Sequence, residues 1–420
     1  MNGGAVAGVA CVDITPPVGV MLEAYRRTEP STGIHDRLYA SALVLARQRQ
    51  EPFALVSVDN AALLVAETDV LRESIGAEVG IPRDRIMICL SHTHSGPRVT
   101  PEYLSELGTS CVDAVKQALA GARPVRVGWG VGRSAAAVNR RSETSDPKAG
   151  MRLSPRGVPD QRLGVLSLAE PDGRPLALLL WYGAHGAVLK GDSNVISADW
   201  PGAARTVVSA ALGCPALVVI GAAGDVNPRW RGSLDALGRM GLAVGGEALR
   251  VVAGIETAPL TELRVCSQAI PLQLQPLPEA PEAAKRAAEA AAHWGIAPEP
   301  WLKAVDRCRA RGEVERVLPL EVHLVRINEG IMGGIPMEPF TEIGLRVADR
   351  FPERPVLFGG CTNGWIGYLP TPEEYLAGGY EVDWAPLGHG TNSGWLTPAI
   401  PETAAEVVTA ATEMISRLTE

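Results

Sequence analysis

The sequence predicts an α/β fold with a mixed β-sheet core flanked by helices, forming one domain that carries a helical insertion. Three observations predict it. Short apolar, β-branched runs alternate with stretches of helical period, which is the pattern of layered sheet and helix. No repeat recurs at solenoid or propeller spacing. The 420 residues, 46% hydrophobic and 20% charged, suit one large globular core and neither a disordered chain nor a coiled coil.

Strands are predicted over 53–58, 85–90, 164–168, 177–182, 216–220, 318–327, 331–335 and 355–359, most of them bounded by Gly, Pro, Asn or Asp. The Asn328-Glu329-Gly330 tripeptide between two of them reads as a hairpin turn. Helices are predicted over 67–78, 102–122, 201–211, 232–252, 342–350 and 401–417, several opened by Pro or by an acidic first turn. The segment 277–313 differs in composition: Ala, Glu, Lys and Arg dominate and prolines punctuate it. It reads as a surface helical pair inserted into the 1–420 domain, either a solvated face or a lid.

Composition narrows the partners. A formal net charge of −8 disfavours nonspecific attraction to nucleic acid or to anionic lipid. The longest apolar runs are near ten residues, against the roughly 20 that a membrane helix needs, so no membrane span is expected. The first 20 residues lack a basic start, and their apolar stretch is broken by Cys11 and Asp13, which does not read as a secretory leader. Seven scattered cysteines without a CxxC pair read as reduced core residues, and a cytoplasmic location is expected.

Chemistry collects where strands end. Five strand-like runs lead into clusters of Gly, Pro and competent side chains, and strand ends are where ligands bind in open α/β sheets. The clusters lie at 91–97, 183–186, 221–228, 335–339 and 363–368. In the first, His92 and His94 are two residues apart, so in extended chain both imidazoles face one side. His185 follows the apolar run 177–182, and Glu338 lies between Pro336 and Pro339. Alone, His185 reads equally as a structural histidine and Glu338 as a helix-start acid. Together with His92 they form a His/His/Glu set, three protein ligands with one position left for water, which is the pattern of catalytic zinc. His35, His293, His323 and His389 lack this placement, and His293 is expected to be exposed.

At these residues the sequence resembles the neutral/alkaline ceramidase family in its N-terminal catalytic domain. The resemblance runs through Gly-Ile-His-Asp-Arg-Leu-Tyr at 33–39, Ser-His-Thr-His-Ser-Gly-Pro at 91–97, Val-Asn-Arg at 138–140, 181–185, Gly-Asp-Val-Asn-Pro at 224–228, Glu338 and 368–380. It implies zinc ligation by His92, His185, Glu338 and Tyr368, with Tyr380 near the reacting carbonyl, His94 as the second histidine of the motif and Arg140 as the substrate-site arginine. One departure falls at Asn227, where the family has serine; asparagine cannot attack a carbonyl but still donates hydrogen bonds. The immunoglobulin-like domain and secretory signal of ceramidases have no counterpart in the sequence, so ceramide itself is not the expected substrate.

The expected activity is zinc-dependent hydrolysis of a linear N-acyl amide in a small-molecule substrate. In this reading His94 shuttles protons, Tyr380 and Arg140 stabilise the developing oxyanion, and Asn227 and Asp225 orient substrate or ligands. The alternatives are ester or lactone cleavage at the same zinc, and a noncatalytic binding protein of the same fold.

Overall fold

The computed structural model describes residues 4–25, 27–47, 50–141, 157 and 159–420. Three sheets carry the fold, and each is built in the same way. In the first, Val6–Asp13, Tyr39–Ala46 and Phe53–Val58 run antiparallel in sequence order, and Ile86–Leu90 joins parallel to the last of them. In the second, Arg126–Arg133, Arg162–Ala169 and Pro175–Tyr182 repeat that meander, with Ala216–Ile220 parallel to its last strand. In the third, Leu263–Gln273, Val317–Ile327 and Gly330–Gly334 do so again, with Val356–Gly359 parallel. Two-residue strands, Arg123–Pro124 and Ala258–Pro259, extend the outer edges of the first two sheets.

A parallel pair needs a crossover connection, and each sheet supplies one helix for it. These are Val65–Val79, Asp199–Leu212 and Thr341–Ala348. Each connection brings the C-terminal ends of two parallel strands to one edge of its sheet, and the three edges meet. Ser57 Oγ donates to the Val218 carbonyl across the first and second sheets at 2.7 Å. Isolated bridges Gly221↔Gly359 and Cys89↔Thr362 join the second to the third and the first to the third. Between the sheets lies a shared apolar core that includes Leu55, Met87, Trp181, Leu217, Val325 and Leu357.

The expected strands and helices are present with ends shifted by a few residues. Four long strands were not foreseen: Val6–Asp13, Tyr39–Ala46, Arg126–Arg133 and Leu263–Gln273. The region 277–313 forms Ala280–Trp294 and Glu299–Ala310, the expected helical pair. Its inner face is far from solvated: Trp301 is fully buried and its indole donates to the Leu396 carbonyl at 2.8 Å. Beneath it, Tyr380–Trp384 forms a π-helical turn that leads into Ala385–Ser393. Among the described residues no helix is long and apolar enough to cross a membrane.

Candidate metal centre and active site

The convergent strand ends assemble most of the site. His92 follows Ile86–Leu90, His185 follows Pro175–Tyr182, Glu338 follows Gly330–Gly334 and Tyr368 follows Val356–Gly359. Glu338–Pro339 pairs in parallel with Tyr368–Leu369, in a register that makes Glu338 and Tyr368 partners. His92 is held in the left-handed region at φ 56, an uncommon conformation for a residue with a Cβ. The neighbouring Thr93↔Gly186 bridge depends on glycine, since a Cβ on Gly186 would lie 2.5 Å from the His92 carbonyl oxygen.

The two ring nitrogens of His92 and His185 have separate tasks. His92 Nδ1 lies 2.6 Å from the Ala61 carbonyl and His185 Nδ1 3.0 Å from that of Val226. A carbonyl only accepts, so each Nδ1 carries the proton and each Nε2 turns a lone pair inward. Glu338 Oε1 accepts from the Trp365 indole at 2.7 Å. Its Oε2 lies 2.8 Å from His185 Nε2 and 3.3 Å from His92 Nε2, yet accepts no hydrogen bond. Three electron-rich atoms therefore face one another in a buried place, with no hydrogen bond to Glu338 Oε2 and one donor, Arg140 Nη1, at 2.9 Å from His185 Nε2. A cation fits that arrangement, and the donor set, two imidazoles and a carboxylate beside a phenol, is one that holds divalent transition metals.

His94 joins the cluster. Its Nε2 is 3.2 Å from His92 Nε2, and one ring atom from each of His92, His94 and His185 falls within 4.8 Å of the others, so this trio also could hold a metal ion. Unlike its neighbours, His94 has no partner for its buried Nδ1. Burial, then the His92 and His185 rings, push its pKa well below the usual histidine range, so it is neutral near pH 7. Burial opposes ionisation of Glu338, but positive charge opposite it, on His92 and His185 when those rings are protonated, outweighs burial and holds the carboxyl well below the usual range.

Arg140 is 2% exposed and lies beside the rings. Its Nη1 is 2.9 Å from His185 Nε2, its Nε donates to Glu381 Oε1 at 2.8 Å, and its guanidinium carbon sits 5.5 Å from the centre of the Tyr368 ring. Nη2 has no partner, a buried donor left for something else. Burial and then the Glu338 charge push the Tyr368 phenol well above its usual pKa, so the phenol is protonated in this arrangement. Tyr380 packs edge-on against Tyr368, with ring centres 6.1 Å apart.

Two further residues are placed by the structure. His389, set aside on sequence, reaches the site: its Nε2 lies 2.9 Å from the Tyr380 hydroxyl. Asp225, expected to orient substrate or ligands, makes its hydrogen bonds with neighbouring framework residues. Oδ1 takes the Thr341 amide and hydroxyl, Oδ2 takes Asn139 Nδ2, and burial raises its pKa to about 6. Asn227 is 1% exposed and neither atom of its amide has a partner. His293 is exposed as expected, and His323 lies in a separate buried network.

Sequence reasoning missed Glu381, Trp365 and Tyr25. Glu381 balances Arg140 and Arg141, the latter at 2.6 Å, and the buried arginine at 140 was a signal that an acid must exist. A surface groove lined by Val131, Arg162, Phe351 and Arg354 contains none of the site residues.

Fold and site together define an α/β protein with a buried histidine–carboxylate centre able to hold a metal ion. Residues 6–213 match the family model described as neutral/alkaline non-lysosomal ceramidase, N-terminal, and the chain belongs to that family. A neutral ceramidase of Mycobacterium tuberculosis (strain ATCC 25618 / H37Rv) is 38% identical over 104 residues, which is 23% of this chain and 15% of that protein. The chain thus matches well under two thirds of that relative's length. Among solved structures, the neutral ceramidase from Pseudomonas aeruginosa resembles it with a TM-score of 0.74 at 20% identity, over 99% of this chain and 75% of the other. A ceramidase complexed with C2 gives a TM-score of 0.76 at 19% identity, over 99% and 76%. These two likenesses concern the fold.

Proposed function

We propose that the protein is a zinc-dependent hydrolase that cleaves a linear N-acyl amide other than ceramide. The observation that carries this reading is the partnerless Glu338 Oε2 facing His92 and His185, beside a buried arginine with a spare donor. His92, His185, Glu338 and Tyr368 would hold the ion. Zinc bound there supplies Lewis-acid polarisation of a carbonyl and lowers the pKa of water toward neutrality.

The chain's own residues do the rest. Arg140 Nη2 and the Tyr380 hydroxyl donate to the carbonyl oxygen as negative charge grows on it. His94 carries the proton to the leaving nitrogen. What favours that role over ligation is its unanchored Nδ1, since ligand histidines have their second nitrogen tied down as in His92 and His185. Asn227 offers the substrate one donor pair and one acceptor, where a serine would offer a hydroxyl. The helices of 277–313 would serve as a lid, an assignment supported by Trp294 packing 5.2 Å from the Tyr380 ring. All seven cysteines are free, in keeping with a cytoplasmic enzyme.

An ester needs little help from a leaving-group acid and an amide needs much, so matched substrates test the reading. His94→Ala is expected to keep its metal and to lower kcat on an N-acyl amide about 10²- to 10⁴-fold, with a smaller loss on the matching ester. Unchanged amide turnover in this variant, or loss of its metal, contradicts the assignment.

A further inference from the structure

One cation beside the rings has no task in the chemistry above. Arg231 is half-buried, its Nε donates to the Ala187 carbonyl at 2.9 Å and its Nη2 to the Tyr25 hydroxyl at 3.1 Å. No carboxylate lies within ion-pair distance of it among the described residues, and Nη1 has no acceptor there. Asp199, the acid that weighs on Tyr25, is committed to the amides of Val188, Leu189 and Trp200. A guanidinium held by two neutral acceptors and lacking an anion is poised for a bidentate anionic ligand.

The second partner, Tyr25, ties this cation to the reacting centre. Its ring meets that of His94 edge-on at 5.1 Å. The loop that places it is strained and pinned. Ala24 and Tyr25 both take positive φ, 63 and 53. Arg27, 6% exposed, donates to the carbonyls of Glu23, His94, Lys190 and Ser193, and so fixes this loop to His94 itself. Two consecutive residues at positive φ, clamped by a buried arginine, hold one aromatic ring against His94 and its hydroxyl on the Arg231 guanidinium.

Resting on the amide-hydrolase reading, we propose that Tyr25 and Arg231 recognise an anionic group carried by the leaving amine, so that the substrates are fatty acyl conjugates of amino acids or aminosulfonates. His94 serves the leaving nitrogen, and the group beside His94 therefore meets the amine half of the substrate. The reaction balances as water plus acyl–NH–CHR–COO⁻ giving acyl–O⁻, the free carboxylate, and ⁺H₃N–CHR–COO⁻. The C–N bond breaks, the water oxygen joins the acyl carbon, and the water protons end on the amine.

The test compares N-dodecanoyl glycine, N-dodecanoyl taurine and N-dodecanoyl ethanolamine on the metal-loaded enzyme. The anionic conjugates are expected to exceed the neutral one in kcat/KM by about 10- to 100-fold, the scale of charge-assisted hydrogen bonds. The ratio of glycine to taurine conjugate separates carboxylate from sulfonate. Arg231→Gln should collapse the preference through KM rather than kcat, and Tyr25→Phe should weaken it partly while keeping the ring against His94. Arg231→Glu should turn the preference toward N-dodecanoyl ethylenediamine. A native enzyme that prefers the ethanolamide, or a preference untouched by Arg231→Gln, overturns the proposal. If no conjugate is cleaved, the hydrolase reading fails separately, and calorimetric binding of the glycine conjugate and the ethanolamide decides this one: a preference for the anion that Arg231→Gln removes upholds it, and equal binding overturns it.

Discussion

Glu338 has two oxygens, and the Trp365 indole determines which of them faces the histidines. By donating to Oε1 at 2.7 Å it leaves Oε2 as the atom presented to His92 and His185. Partners of this kind fix a ligand's orientation and are worth about 10- to 100-fold in metal affinity. Trp365→Phe should therefore bind metal about 10- to 100-fold more weakly in a chelator competition, with its thermal unfolding little changed. Equal affinity in variant and parent would show that the indole plays no such part. At this scale the sequence was informative where chemistry forces residue type: the His92/His94 spacing, His185 after an apolar strand, and Glu338 between prolines. It was silent on Trp365, Tyr25 and His389, because an aromatic residue or a lone histidine reads the same whether it packs or orients, and only neighbours distant in sequence decide.

Among the elements, the strand Val317–Ile327 carries a buried histidine with a pH consequence. His323 accepts at Nδ1 from Asn363 Nδ2 at 2.8 Å, and that amide is fixed because its Oδ1 takes the Ile88 amide. A protonated ring would set N–H against N–H. Burial, with Arg72 nearby, lowers the His323 pKa to about 4, while the adjacent Glu321 tempers the fall. The folded value lies below the unfolded one, so stability is full above about 6.5 and falls as acid protonates the unfolded chain, by about 1.4 kcal/mol per pH unit down to about 4. Glu321, lowered to about 2 with Arg72 overcoming its burial, extends the loss below about 4.5. Asp199 and Asp225, both raised by burial to about 6, act in the opposite sense, their contribution being lost as pH rises through that value. The difference between parent and His323→Asn isolates the histidine: urea unfolding from pH 7 to 4 should fall less steeply in the variant, and parallel profiles would refute the assignment.

For the whole molecule, the governing feature is a threefold use of one connectivity, three antiparallel strands, a crossover helix and a parallel strand, with the parallel edges of all three copies facing inward. That arrangement explains why distant residues meet: most of the candidate ligands leave the same kind of strand end. The mixed α/β class and most elements were legible because their apolar runs are long and cleanly bounded. The triplication was not, since its units exceed the periods of familiar repeats. Arg126–Arg133 was lost to its glycines at 128, 130 and 132, which read as a loop. They are small because the helix Leu234–Val252 and its tail lie on them: a Cβ at 130 would come within 2.6 Å of Val251 and 2.9 Å of Ile255. Tyr39–Ala46 is plain in retrospect, whereas Val6–Asp13, rich in Ala, Gly and Cys, gives little β signal on its own. The residues 277–313 form two helices, but their buried face depends on Trp301 and Leu396 meeting across the chain, which composition does not encode.

If the three inward edges exist to hold one ion, metal content measured on the purified protein tests this most directly. Elemental analysis of the parent, of Glu338→Gln and of His185→Ala, each before and after dialysis against chelator, should give about one zinc per parent chain, with amidase activity lost on chelation and regained with zinc. The two variants should hold far less. A parent that hydrolyses its substrate undiminished after every metal has been stripped, or variants that retain zinc as the parent does, would contradict the account.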